Sequence, residues 1–422
     1  MNFELSLDLV QSSALAGVLL LLGEAARRRI GFLERFSIPG PVIGGFAFAV
    51  ILLVLRETGT AAVEFDTSLQ APAMIAFFTT VGLSGSLSLL RKGGRLLIVY
   101  LLACWTLAVV QNLVGIGMAE ALGVDPLLGI MAGAVSLEGG HGAAAAFGPT
   151  AEEMGAAGAT AVAVASATFG LVAGSLLGGP LAGWLVKRYR VAVPAPSAAP
   201  VAVGADGSAP EGPAAGGSGG AGGAEKGRSP AEAAGYAQLL PTAALIGVIM
   251  VAGVALGKWF SGATGFVLPD YVGAMVVAVV VRNLNDRFRL VRLDAGAIEV
   301  VSSLTLGFFL TMAMMSLRIW ELYALALPLF GILVVQVVVI LLFVVFVVFR
   351  MLGRGYDAAT MAAGMIGHGL GGTPNAMANM SAFNQRFGVR SEKAFLVVPL
   401  AGAVLIDLVG LPWIVWCMNA VA

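Results

Sequence analysis

Residues 136–148 read SLEGGHGAAAAFG, and residues 364–380 read GMIGHGLGGTPNAMANM. Each stretch sets a histidine, His141 or His368, inside Gly-His-Gly, and the sequence contains no other histidine. Both are polar, rich in glycine and embedded in apolar surroundings. Composition says what those surroundings are. Of 422 residues, 59% are hydrophobic and only 11% charged, against about a quarter charged in a soluble domain. With a mean hydropathy of +0.93, the chain is an integral membrane protein. Its formal net charge is zero, but in a bilayer the placement of Lys and Arg is more informative than their sum.

Crossing about 30 Å of hydrocarbon takes about 20 apolar residues. Runs of that kind fall near 8–26, 38–55, 71–90, 96–118, 159–186, 238–257, 265–281, 299–317, 322–349 and 394–417. Acidic Glu4 and Asp8 precede the first run and Arg27, Arg28 and Arg29 follow it, the reverse of a signal peptide's charge order. That run therefore reads as a first membrane helix. Residues 127–149 and 359–380 are apolar but interrupted by glycines. If both dip into the membrane and return, every Lys and Arg except Arg56, Lys258 and Arg318 falls on the cytoplasmic side; if both cross, the basic residues divide evenly. The positive-inside rule favours the first case, an all-α fold of ten spans and two re-entrant segments, with both termini periplasmic. Unpaired backbone groups cannot face lipid, so each re-entrant segment must pack against its own helices or line a water-filled cavity.

Residues 188–236 are rich in Ala, Gly, Pro and Ser, the composition of a flexible cytoplasmic connector. The connector separates 1–187 from 237–422, and the two parts resemble each other. Pro39-Gly-Pro-Val-Ile-Gly-Gly corresponds to Pro269-Asp-Tyr-Val-Gly-Ala, Phe77-Phe78 to Phe308-Phe309 and His141 to His368. A near-constant offset of about 230 residues marks an internal duplication. Five spans per half is an odd number, so the second half enters the membrane from the opposite side. The result is two inverted-topology repeats of five transmembrane helices, each with a re-entrant segment. Secondary transporters commonly follow this plan, with the substrate site near the midplane at broken helices.

The chemistry follows from the two broken stretches. Gly139, Gly140 and Gly142, beside Ser136, let the chain turn inside the membrane and leave backbone groups free to meet a substrate. Glu138 is expensive at that depth unless paired or hydrated, which makes it a candidate for cation coupling. In the second stretch Gly371 and Gly372 lead into Thr373 and Pro374, read as a helix start with Thr as cap and Pro at the first helical position. A buried half-helix start attracts a carboxylate through its free N–H groups, with Asn375 beside it. Asn379 falls four residues on, on the same helical face. Its carbonyl, and Asp407 in the apolar span 394–417, suit a hard cation such as sodium.

His141 and His368 have no ligand-spaced partners for a transition metal; with Pro374 they read as braces of the site. Thr79, Thr80, Ser84, Ser302, Ser303, Thr305 and Thr311 lie within spans, where hydroxyls are expected to bond back to their own helix. No phosphate-binding loop points to ATP-driven pumping. Cys104 and Cys417 form no spaced cluster, and nothing in the chain suggests a nucleic-acid-binding surface.

Taken together, GGHG at 139–142, GHGLGGTPNAMANM at 367–380, PGPVIGG at 39–45 and PLAGAVLID at 399–407 resemble the bacterial sodium/glutamate symporter family. The resemblance covers most of both halves and leaves out the connector. It implies sodium-coupled uptake of L-glutamate across the inner membrane by a homodimer, with Na+ as coupling ion and no organic cofactor. It also implies kinship in fold with citrate-type sodium symporters, in which a transport domain moves against a dimerised scaffold. The residues alone point to a secondary carrier of a small anion. They leave open citrate or malate as cargo, proton coupling, an intramembrane enzyme using His141 and Glu138, and a channel.

Overall fold

The computed structural model describes residues 3–36, 38–194, 230–323 and 325–422, so most of the connector expected over 188–236 lies outside the described residues. Among these the chain is helical apart from one two-stranded parallel sheet, in which β1 (Phe3–Leu7) pairs with β2 (Ala61–Phe65), Phe3 opposite Ala61. The sequence reading assigns no strand there, although FELSL alternates apolar and polar residues with the period of one. Asp8 then caps α1 (Leu9–Arg29): its carboxylate accepts from Gln11 N at 2.8 Å while the Gln11 side chain accepts from Asp8 N.

A short α2 (Gly31–Arg35) leads into α3 (Gly40–Glu57), and β2 is followed by α4 (Gln70–Ser84) and α5 (Ser88–Ala121). The first glycine-broken segment comprises α6 (Pro126–Ile130), a π-helical turn Met131–Val135 and α7 (Gly140–Glu153), after which comes α8 (Ala159–Arg188). The second half contains α9 (Pro230–Thr264), α10 (Asp270–Phe288), α11 (Ala295–Met315) and α12 (Ala326–Phe343), which runs through a π turn into α13 (Phe349–Met351). The second broken segment is α14 (Tyr356–Gly371) and α15 (Thr373–Phe387). Then come α16 (Glu392–Leu400), a π turn Ala401–Leu405 and α17 (Asp407–Val421).

Seven helices among the described residues are long and apolar enough to cross a membrane: Leu9–Arg29, Gly40–Glu57, Gly94–Ala121, Ala159–Arg188, Gln238–Thr264, Ala295–Met315 and Ala326–Met351. The other three expected spans are helical but shorter, more charged or broken. α4 has 15 residues, α10 carries Asp270, Arg282, Asp286 and Arg287, and 394–417 is interrupted by its π turn.

Small residues set how the helices cross. Where α1 meets α3, a Cβ on Gly23 would strike the backbone of Gly40, and one on Gly44 the backbone of Leu19. Where α9 meets α10, one on Gly253 would strike the backbone of Ala274. Gly45 on α3 lies against Thr311 and Met314 of α11; reciprocally, Gly82 on α4 lies against Met275 of α10. Close backbone approach through glycine is how helices gain dispersion contact where lipid offers no hydrophobic drive. Gly44→Ala is expected to destabilise the protein by about 1–3 kcal/mol through overpacking, read as a lower unfolding temperature in detergent. Gly117→Ala, on α5 with nothing within 4 Å of its Cβ position, should be neutral or slightly stabilising.

Both glycine-broken segments turn within the protein, and the second packs back on itself. Tyr356, at the start of α14, stacks on Phe383 near the end of α15 with ring centroids 5.4 Å apart, and its hydroxyl donates to Val389 O at 2.7 Å. Between them, Gly364 and Gly367 face Met380 and Ala376. α14 is buried from Ala358 to Gly371. In the first segment α6 packs on α5, while the π turn lies against α7 and α8.

Candidate functional site at the hairpin turns

The turning points of the two hairpins meet: a Cβ on Gly372 would lie 3.9 Å from the carbonyl oxygen of Glu138. Gly372 has φ 88° and ψ −178°, and Gly140 has φ 63°, conformations that a side chain disfavours. Gly139 precedes α7 as its cap, and α15 starts at Thr373. Each turn thus presents a helix start whose first N–H groups lack partners within the helix. The cap of α15 is Gly372 and not Thr373, and no side chain bonds there; Thr373 and Pro374 are the first two helical residues. The single extended residue Gly372 both ends α14 and begins α15, which moves the start by one position.

Around the turns, polar side chains hold the broken backbone. Asn112 Oδ1 accepts from Ala134 N at 3.0 Å, and Gln111 Nε2 donates to Gly369 O at 2.8 Å. Gln336 Nε2 donates to Gln111 O at 2.7 Å, and Trp105 Nε1 to Ile406 O at 3.2 Å. None of these four is singled out by the sequence reading. The available signal was an uncharged polar residue in mid-span: Gln111 and Asn112 within 96–118, and Gln336 within GILVVQVVVI.

Ser136 is fully buried and donates to Met131 O at 2.5 Å, which closes the π turn. Gly142, on the first turn of α7, has Phe77 and Leu306 each 3.8 Å from its Cβ position. Thr168 Oγ1 gives its proton to Val164 O, so His141 Nε2, 3.0 Å away, is the donor to Thr168 and ties α7 to α8. His368 is 1% exposed and has no hydrogen bond at either ring nitrogen; its ring packs on Gly402, which also lies against Thr373. The expected brace is therefore hydrogen-bonded for His141 and purely a packing contact for His368.

Asn375 and Asn379 share a face of α15, and α8 covers it. Asn375 Nδ2 donates to Leu171 O at 3.2 Å and its Oδ1 accepts from Ser175 Oγ at 2.7 Å, while Asn379 Nδ2 donates to Gly174 O at 3.0 Å. Gly371 faces Leu171 of the same helix. Glu138 is 9% exposed and its Oε1 accepts no hydrogen bond. Asp407 is half-buried at the start of α17. Neither makes a salt bridge with any described residue. Thr79, Thr80, Ser84, Thr305 and Thr311 all bond back to carbonyls of their own helices, as expected.

A cavity of about 690 Å³ opens on the side where the sequence places the periplasmic loops, its wall including Gln70, Glu152, Glu153, Asp270, Tyr271 and Arg318. Rings separate it from the turns. Tyr271 lies 4.9 Å from Phe78 and 5.2 Å from Phe147, and Phe77 lies 5.1 Å from Phe78 and stacks on Phe309 at 6.2 Å. The Phe pairs of the two halves thus meet, and the line of rings ends at Gly142.

A family model described as Sodium/glutamate symporter matches residues 5–201 and 222–389. The Sodium/glutamate symporter of Escherichia coli (strain K12) is 42% identical over 406 residues, covering 96% of this chain and 95% of that protein. The one from Haemophilus influenzae is 39% identical over 400 residues, 94% of each chain.

Proposed function

The chain belongs to the sodium/glutamate symporter family, and we propose that it imports L-glutamate together with sodium across the bacterial inner membrane, as a homodimer working by alternating access. The observation that carries this reading is the meeting of two helix starts at glycine-broken turns, Glu138 against Gly372. Their N–H groups receive the substrate carboxylates, Gly140 and Gly142 from one turn and Thr373 from the other, while Gly139, Gly371 and Gly372 shape the turns that present them. Ser136 and Asn375, whose side chains are engaged with Met131, Leu171 and Ser175, act by shaping the two turns. Glu138, Asp407 and the Asn379 carbonyl take sodium. Sodium and substrate at one junction must tighten each other's binding by the same factor.

The ten-span plan, with inverted repeats at 1–187 and 237–422, is supported by the reciprocal glycine crossings. α1 meets α3 as α9 meets α10, and α3 meets α11 as α10 meets α4. These six helices make the scaffold. The hairpins with α5, α8 and α12 make the moving part, and the cavity between the two parts is the periplasmic entrance. Both termini are then periplasmic, and the connector is cytoplasmic.

The test is uptake by the purified protein in proteoliposomes. An inward sodium gradient should drive accumulation of labelled glutamate, choline in place of sodium should abolish it, and tenfold excess citrate or malate should not compete. Equal accumulation on a proton gradient in choline, or full competition by citrate, would overturn the assignment.

A further inference from the structure

One pair of hydrogen bonds at the periplasmic rim lies outside the site described above. Asn419, in the last turn of α17, accepts from Val267 N at 2.7 Å through Oδ1 and donates to Val267 O at 2.9 Å through Nδ2. A carboxamide carries both acceptor and donors, so it can meet the N–H and C=O of a single residue as a neighbouring strand would. Nδ2 also donates to Val415 O, 2.9 Å away on the same helix as Asn419. Turning the amide over would set its oxygen against both carbonyls, so its orientation is fixed.

Val267 stands in the connection between α9 and α10, where the neighbouring N–H groups are satisfied locally. Gly265 N donates to Ser261 O, Phe266 N to Thr264 Oγ1 and Leu268 N to Ser261 Oγ, and Pro269 has no N–H. Val267 N alone reaches away from α9, across to α17. That helix packs on α5 and α6, which go with the first hairpin, whereas α9 and α10 are scaffold. Among the described residues, the other side-chain hydrogen bonds of the scaffold helices stay within the scaffold or reach only the corner at 85–87, where α4 runs on into α5. Val267 also lines the cavity that opens to the periplasm.

We propose that the Val267–Asn419 pair is a clasp that holds the moving part against the scaffold while the cavity is open to the periplasm, and that it parts each time the site is carried inward. The inference rests on the alternating-access reading above. Two bodies that slide past each other cannot keep one side chain paired with one residue's main chain through the stroke, because a hydrogen bond is lost beyond about 3.5 Å. Val267 is 44% exposed, so water takes over both partners as they separate and the net cost of parting is small. The clasp therefore biases the outward-open arrangement without blocking turnover. Releasing it should lower the ratio of outward-open to inward protein about five- to tenfold.

Val267→Cys and Asn419→Cys, introduced together after the buried native cysteines Cys104 and Cys417 are replaced by alanine, place a thiol on each side of the clasp. Bridged in proteoliposomes by oxidation or by a short bis-thiosulfonate reagent, this protein should lose sodium-driven uptake, and reductant should restore it. Undiminished uptake by fully bridged protein overturns the proposal. A second measurement leaves Val267 in place. Asn419→Leu keeps the volume and removes both bonds, and Met74→Cys on the cavity wall reports how open the cavity is. In cells in sodium medium, a membrane-impermeant maleimide should label that cysteine at least about twofold more slowly with Asn419→Leu than with Asn419. Equal labelling also overturns the proposal, and decides alone if the double-cysteine protein fails to fold. Unsubstituted protein without sodium-driven glutamate uptake refutes the symport reading itself; sodium-driven uptake through the bridged protein refutes only the clasp.

Discussion

Gly372→Ala is expected to cut sodium-driven uptake about a hundredfold while the protein remains folded. Space is not the obstacle, since the nearest atom to the new Cβ would be 3.9 Å away. Conformation is: φ 88° with ψ −178° is a region that only glycine occupies freely, at a strain of about 1–3 kcal/mol for other residues. The chain relieves that strain by rotating the peptide between α14 and α15, which re-aims the first N–H groups of α15. A misplacement of about 1 Å in groups that must act together costs about a hundredfold. Gly388→Ala is the control. Gly388 also has positive φ, 66°, but caps the far end of α15 with nothing near its Cβ position. There the substitution should cost about 1–2 kcal/mol of stability and leave uptake near normal. Parallel uptake and thermal-unfolding measurements separate the two effects, and normal uptake by Gly372→Ala would remove the turn from the site.

Glu138→Gln and Asp407→Asn should each raise the sodium concentration for half-maximal uptake about tenfold or more. Both changes preserve shape and remove charge. Two carboxylates in apolar helical surroundings, one with a buried oxygen that accepts nothing, are costly inside a membrane unless positive charge joins them. No described basic residue does so, and sodium would. The double variant should be less than additive, because both residues act on the same ion. A sodium titration of uptake unchanged in both single variants would move the coupling ion elsewhere in the protein.

What the sequence disclosed of this site was local in origin. Gly-His-Gly and Gly371-Gly372-Thr373-Pro374 announce breaks because glycine and proline act on their own backbone, and the breaks lie where they were expected. The spacing of Asn375 and Asn379 put them on one face for the same reason. That the face belongs to α8, with Leu171 O, Ser175 and Gly174 O as partners, depends on which helix lies beside it, and nothing within α15 encodes that. The π turns at 131–135 and 401–405 were likewise silent, since no residue type marks the extra residue they accommodate. Gln111 and Gln336 were visible as polar residues in apolar runs, yet their meaning appears only where α5 and α12 cross. The duplicated Phe pairs hinted at symmetry without revealing that Phe77 and Phe309 would stack.

The ring series from Tyr271 through Phe78 and Phe77 to Gly142 has an electrical consequence. Rings in mutual contact along that line offer water few polar partners, and a constriction that stays dry does not conduct hydrated ions. A barrier of that kind between the cavity and the turns would keep the ion gradient from discharging through the protein between turnovers.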